Sequence, residues 1–285
     1  MADGGGAPAE GADHPGLRGF ARRAPEYAAS PVHVSDHSLE LMQRFAAQWT
    51  PEGRPWAADL GAGAGFAAFT VAPHCRRVVA TDPMRTMLSE TRRIARQRGL
   101  ANLQVCQNLA EALPFASGAL DLVTCRVAAH HFSDFPGALD EVNRALKVGG
   151  VLLLADSVGP EDGGLADWMN DVELRRDFSH VKNRKASEIV AMLADRRMAV
   201  RQRESTRIRL RFNSWVARTA TPRPAVESLR REFLNAVSRV RDAFEIRPAE
   251  GDITFSWPCL VVLAVKLPTA PSSRPSPKTG ARSAG

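Results

Sequence analysis

The stretch Asp59-Leu60-Gly61-Ala62-Gly63-Ala64-Gly65-Phe66 decides how the rest of the chain reads. It follows a short apolar run starting at Trp56, and Gly65 to Ala72 then reads as a helix. A glycine turn between a strand and a helix lets the backbone approach a ligand with no Cβ in the way. The helix start behind it offers free N–H groups and the positive end of its dipole. The spacing is G-x-G-x-G, with Phe66 where a dinucleotide fingerprint has its third glycine. No Lys-Ser or Lys-Thr follows, which argues against a Walker-type phosphate loop.

Outward from that turn, strands and helices alternate. Arg77 to Thr81 is a β-branched run ending at Asp82, whose carboxylate can accept both hydroxyls of a ribose. Met84, Met87, Leu88, Thr91 and Ala95 share one helix face, which Gly99 stops. Leu103 to Cys106 reads as a third strand and Ala119 to Val127 as a fourth, and Asp134 caps a helix running to Leu146. Gly149-Gly150 turns the chain into a fifth strand, residues 151–157. This rhythm implies βαβ units, a parallel sheet and helices on both faces. The last third differs. A helix is predicted over Lys185 to Arg196 and an arginine-laced strand over Ala199 to Phe212. Helical sequence follows over Asn213 to Phe244, broken at Thr221-Pro222-Arg223-Pro224, with a final strand over Ile253 to Lys266. A hairpin-like pair whose connection has grown into a helical insertion fits that order, and connections this long are often functional.

Composition excludes several classes. The 285 residues are 44% hydrophobic and 24% charged, as in an ordinary globular chain. No apolar run approaches the ~20 residues of a membrane helix. The N-terminal MADGGGAPAE has no basic segment followed by an apolar one, so a secretory signal is not expected there. Cys75, Cys106, Cys125 and Cys259 are scattered without a Cys-x-x-Cys pair, so neither a zinc ribbon nor a disulfide framework is expected. A reducing, cytoplasmic setting is the expectation. Histidines and carboxylates show no metal-ligand spacing, and no metal is expected. The net charge is +7, and lysine contributes only Lys147, Lys182, Lys185, Lys266 and Lys278 to the 38 basic residues.

The ordered series DLGAGAGF, VVATDPMRTML, AEALPF, LDLVTCRVAAHHF and LDEVNRALKVGGVLLLADS resembles the successive motifs of class I S-adenosylmethionine-dependent methyltransferases. The nearest subgroup is the ubiquinone/menaquinone-methyltransferase-like small-molecule enzymes, over roughly residues 20–200. FARRAPEYAASPVHVSDH resembles that subgroup's N-terminal lid, and RRDFSHVKNR its loop after the fifth strand. The resemblance implies an α/β fold: a doubly wound, Rossmann-like, seven-stranded and mostly parallel sheet with an antiparallel last strand. A helical lid (17–50) would precede it, and the helical insertion (213–245) would come before the last strand. Residues 1–16 and the Pro/Ser-rich 268–285 are expected to be disordered tails flanking a domain over 17–267.

The resemblance also implies roles. Asp59, Gly61, Ala62, Gly63 and Gly65 would cradle the methionine end and ribose of S-adenosylmethionine. Asp82 would hold the ribose hydroxyls, with Pro83 and Met84 against the adenine. Arg126 would border cofactor and acceptor, and Tyr27 and His33 would reach over from the lid. One departure stands out: Leu109, preceded by Asn108, occupies the place where the subgroup usually has an Asp that accepts the adenine amino hydrogen. The backbone at Ala110 can still bond the ring, and losing one such contact costs on the order of 1 kcal/mol.

Other residues carry two readings each. His130 and His131 follow the fourth strand at the ligand-binding edge. One of them could serve as general base, since imidazole titrates near neutrality; both could instead orient the loop, because positioning alone supplies much of the rate of methyl transfer. The run from Arg196 to Arg211 is either a nucleic-acid groove or the solvated face of an edge strand, and the second is preferred. Trp168, Met169, Phe178 and Trp215 are either walls of an apolar acceptor pocket or a satellite core. Asp177 and His180 are acceptor-facing or loop polar residues. The expected function is transfer of a methyl group to oxygen or carbon of a small, aromatic, quinone- or polyketide-like molecule. A nucleic-acid methyltransferase, or a non-methylating cyclase or binding protein on the same scaffold, is the alternative.

Overall fold

The computed structural model describes residues 37–49 and 53–269. Tyr27, His33, residues 1–16 and residues 270–285 lie outside them.

Helix α1 (His37–Gln48) comes first and buries Leu41, Met42 and Phe45. Strand β1 (Trp56–Leu60), helix α2 (Phe66–Val71), strand β2 (Arg77–Asp82), helix α3 (Arg85–Gln97) and strand β3 (Leu103–Gln107) form the first half of the sheet. Strand β4 (Leu120–Arg126), helix α4 (Phe135–Ala145) and strand β5 (Leu146–Ser157) form the second. Asp134 caps α4 by accepting the Gly137 N–H, as expected. Strands β1 to β5 are all parallel, in the order β3-β2-β1-β4-β5. The chain reverses direction across the sheet between β1 and β4, which opens a crevice at the carboxyl ends of those strands.

Helices α5 (Gly163–Arg176) and α6 (Ala186–Asp195) lead to the long edge strand β6 (Met198–Arg211). Helix α5 carries no amphipathic repeat that would announce it in sequence; Asp162 starts it by accepting the Leu165 N–H. The insertion is α7 (Phe212–Arg218), α8 (Arg223–Leu234), α9 (Ser238–Ala243) and a short strand β7 (Arg247–Ala249). Strand β8 (Asp252–Lys266) then returns antiparallel between β5 and β6. The sheet therefore has the seven expected strands plus an eighth, β7, which hairpins onto β8. Three residues joined by a tight turn leave no hydrophobic repeat to read, which is why the sequence did not show β7.

Pairing of β5 with β8 stops at Ser157 and Cys259, while β6 and β8 stay paired to Arg211 and Thr254. The sheet thus continues as a ribbon. One ribbon face, with Ile208, Leu210, Phe255 and Trp257, is buried under the insertion. The edge position of β6 explains its arginines: Arg201, Arg203, Arg209 and Arg211 are exposed on a strand that, among the described residues, pairs only with β8. Charge there blunts edge-to-edge association. Cys75, Cys125 and Cys259 are buried, and none of the four cysteines is in a disulfide. Among the described residues no helix is long and apolar enough to cross a membrane.

Candidate active site

The glycine turn is built for close packing. Gly61 has φ +59, and a Cβ on it would sit 2.5 Å from the Ala128 Cβ, so only glycine fits between β1 and the turn after β4. Two carboxylates fix the turn. Asp82 accepts the Gly63 N–H at 2.9 Å on one oxygen and the Met84 N–H at 2.8 Å on the other. Asp59 accepts the Ala68 N–H at 3.0 Å and the Thr124 hydroxyl at 2.6 Å. Both are buried, and burial pushes Asp59 up to about 7 and Asp82 up to about 6.

A cavity of about 290 Å³ opens beside this turn. Its near end is lined by Gly61, Gly63, Asp82, Pro83 and Met84, and its side by Asn108, Leu109 and Ala110. Asn108 donates to the Leu109 carbonyl, and its own Oδ1 is buried without a hydrogen-bond partner. The far end is lined by Val127, Ala128, His131, Phe132, Phe178, Ser179, His180 and Val181. A pocket of about 20 Å³ adjoins the turn between Asp59, Ala62 and Arg126. Arg126 is tied to α1 through its Nε, which donates to the Ser38 hydroxyl at 3.1 Å. Gly65 lies behind the turn, against Phe69 and Thr91.

The chain leaves β4 through Val127 at φ 51, a costly conformation for a β-branched residue. That kink starts the short turn carrying the two histidines. His130 does not line the cavity. Its Nδ1 lies 2.7 Å from Asp156 Oδ1, and its backbone N–H donates to the other oxygen at 3.0 Å. Burial pushes its pKa down, but the Asp156 charge and hydrogen bond outweigh this and hold it above the usual value. His131 Nδ1 meets the Ser179 carbonyl at 3.0 Å, so that nitrogen carries the proton. Burial and the neighbouring His130 push His131 down to about 4. The His130 ring is 4.1 Å from the His131 ring and 5.8 Å from that of His180. Asp156, Asn170 and Ser179, which orient these rings, were missed by the sequence reading. Only Asp156 left a sign there, as the one acid closing the fifth strand.

Trp168 and Trp215 are not among the cavity's described walls. Trp215, 1% exposed, packs on Phe212, Phe233 and Phe255, and Trp168 stacks on Phe244 at 5.1 Å. The satellite-core reading replaces the pocket reading for both, because the overhanging ribbon needs an apolar filling under its insertion. Phe178 and His180 do reach the cavity. Among the described residues no group of three or more His, Cys, Asp or Glu is arranged to hold a metal ion.

A family model described as a methyltransferase domain matches residues 58–154. The chain is 32% identical over 247 residues to the uncharacterized methyltransferase YcgJ of Bacillus subtilis, covering 87% of this chain and 96% of that protein. The crystal structure of YcgJ superposes with a TM-score of 0.76, covering 82% of this chain and 99% of that one. YafE of Escherichia coli is 36% identical over 197 residues, covering 69% of this chain and 89% of that protein. A ubiquinone/menaquinone C-methyltransferase of Rubrivivax gelatinosus is 30% identical over 118 residues, covering 41% of this chain and 45% of that protein. A strand–glycine turn–helix with an acid closing the second strand, in a chain that spans almost all of YcgJ, leads to one family: the protein belongs to the class I S-adenosylmethionine-dependent methyltransferases, with S-adenosylmethionine as cofactor.

Proposed function

We propose that the protein transfers a methyl group from S-adenosylmethionine to oxygen or carbon of a small aromatic, quinone- or polyketide-like molecule. The observation that carries this reading is the single cavity running from Asp82 and Asn108 to His131 and His180. The bound cofactor supplies a methyl group on a sulfonium, already activated toward attack. Asp82 holds the ribose hydroxyls, and Pro83 and Met84 flank the adenine. Asp59, Ala62, Arg126 and the N–H groups of the turn receive the methionine end. Met87, Phe132, Phe178 and Val181 give the acceptor apolar walls. His131, its Nδ1 proton held by Ser179, turns Nε2 into the ring's basic nitrogen; orientation in the cavity supplies much of the rest. None of the exposed arginines of the edge strand lines the cavity, which favours a small acceptor over a nucleic acid.

Release of S-adenosylhomocysteine in the presence of a panel of phenols and quinols, with RNA as a parallel arm, tests this. Turnover with RNA alone selects the nucleic-acid reading. Cofactor bound but never consumed selects the binding-protein reading.

Two further results are expected. Affinity for S-adenosylmethionine rises with pH through about 6 to 7, because burial keeps protons on Asp82 and Asp59 below that range and a protonated Asp82 cannot accept from both ribose hydroxyls. Calorimetry from about pH 5.5 to about pH 8 reads this, and a flat profile counts against it. Asn108 stands in for the missing carboxylate through its unpartnered Oδ1. Asn108→Ala is expected to weaken the cofactor by about fivefold, and Leu109→Asp to tighten it by a similar factor.

A further inference from the structure

The acceptor end of the cavity has a hydrogen-bonding character set by Asn170. Its Nδ2 donates to the carbonyls of Ala166 at 2.9 Å and Asn183 at 3.3 Å, and its Oδ1 accepts the Asn183 N–H at 2.6 Å. Three backbone partners therefore fix which way the amide points. His180 Nε2 lies 2.9 Å from that same Oδ1, so Nε2 must carry the hydrogen. A neutral imidazole with its proton on Nε2 has only a lone pair on Nδ1. Burial and the adjacent His130 push His180 down to about 3, so the ring stays neutral near pH 7. Nδ1 is buried and has no hydrogen-bond partner. A buried acceptor left unmet costs about 1–3 kcal/mol. The ring lines the cavity together with Phe178, Ser179 and Val181. Phe178 and Val181 are 58% and 46% exposed, which makes an apolar mouth. The described walls contain no Lys or Arg, and their ionisable acids are Asp82 and Glu111.

We propose that the acceptor is an uncharged molecule bearing a hydroxyl group, and that this hydroxyl donates its hydrogen bond to His180 Nδ1 at the far end of the cavity. The inference rests on the methyl-transfer reading and names the substrate class it left open. His180 acts as a specificity-determining acceptor whose orientation comes from Asn170. A carboxylate or phosphate at the same place would bring lone pairs against the Nδ1 lone pair, which is the repulsive half of the selection.

The test uses the full chain saturated with S-adenosylhomocysteine and three matched probes: 1-naphthol, naphthalene and 1-naphthoate. By calorimetry the naphthol is expected to bind about tenfold tighter than either of the others. His180→Gln keeps an N–H toward Asn170 but has no acceptor at the Nδ1 position. It is expected to lose that tenfold preference while naphthalene and S-adenosylhomocysteine bind as before. His180→Asn, with a carbonyl oxygen near the Nδ1 position, is expected to recover most of it. In the wild type, a long-range proton–nitrogen spectrum should show His180 protonated on Nε2 alone, with the Nδ1 resonance moving when naphthol is added and staying put with naphthalene. A proton on Nδ1 in the unliganded ring, naphthoate binding as well as naphthol, or an unchanged preference in His180→Gln each overturns the inference. Failure of S-adenosylhomocysteine to bind at all overturns the methyl-transfer reading itself, and the role of His180 with it.

Discussion

Asp82→Ala is expected to weaken S-adenosylmethionine binding by at least about a hundredfold while leaving the protein folded. The structure gives this carboxylate two hydrogen bonds. Each oxygen accepts one backbone N–H, from Gly63 and from Met84. An ionised carboxylate has about four lone-pair sites, so two remain for the ribose hydroxyls. Hydrogen bonds to a charged group contribute about 1.5–3 kcal/mol each, and losing two removes about 3 kcal/mol or more. The alanine variant also frees the Gly63 N–H, so the glycine turn must be ordered again at each binding event. Asp82→Asn keeps the shape and one acceptor, and an intermediate loss of about tenfold is expected. Calorimetric titration of the three proteins decides, with thermal melting as the control for folding. Binding by the alanine variant within about threefold of wild type would remove Asp82 from the cofactor site.

The second large effect is on stability. Glu173, on the last turns of α5, is 6% exposed. One of its oxygens accepts the indole N–H of Trp215 at 3.1 Å and that of Trp257 at 2.5 Å, and the other accepts from Arg176 at 2.7 Å. Burial pushes its carboxyl upward, but the charge and hydrogen bond of Arg176, with the His130 charge, outweigh that and hold it below the usual value. Its folded pKa is therefore depressed, and its contribution to stability is present above the unfolded pKa and lost as pH falls through the folded one. Glu173→Ala leaves two indole donors and a buried guanidinium without their acceptor. Breaking a buried charge pair on one side costs about 3–5 kcal/mol, which for a chain of this size lowers the melting temperature by about 10 °C. Glu173→Gln, keeping a carbonyl oxygen for the indoles, is expected to fall between. An alanine variant melting within about 2 °C of wild type would show that the aromatic cluster holds the insertion without this carboxylate. Because α5 runs directly into the loop of Phe178 and His180, the same variant is expected to lose more affinity for 1-naphthol than for the cofactor, each relative to wild type.

The glycine-turn end of the cavity was legible in sequence for a physical reason. A glycine turn after a strand, and an acid at the end of the next strand, are local features whose geometry follows from a few consecutive residues. Gly61, Gly63, Asp82, Pro83, Met84 and the 108–110 segment accordingly meet in one cavity. The alternation of strands and helices was legible as well, because a parallel sheet buried on both faces demands continuous apolar strands.

The far end was not. Trp168 and Trp215 have the composition of a pocket wall and the location of a core, and composition alone cannot separate the two. Only the overhang of β6 and β8 beyond β5 creates the apolar surface they fill. Asp156 reaches His130 across 26 residues of chain, Ser179 reaches His131 across 48, and Asn170 reaches His180 across a loop. By itself the sequence determined the sheet, the glycine turn and the cofactor. Tertiary structure decided which histidine nitrogens carry protons and which aromatic rings face solvent, cavity or core. Those choices depend on hydrogen-bond partners and burial that arise only when distant segments pack together.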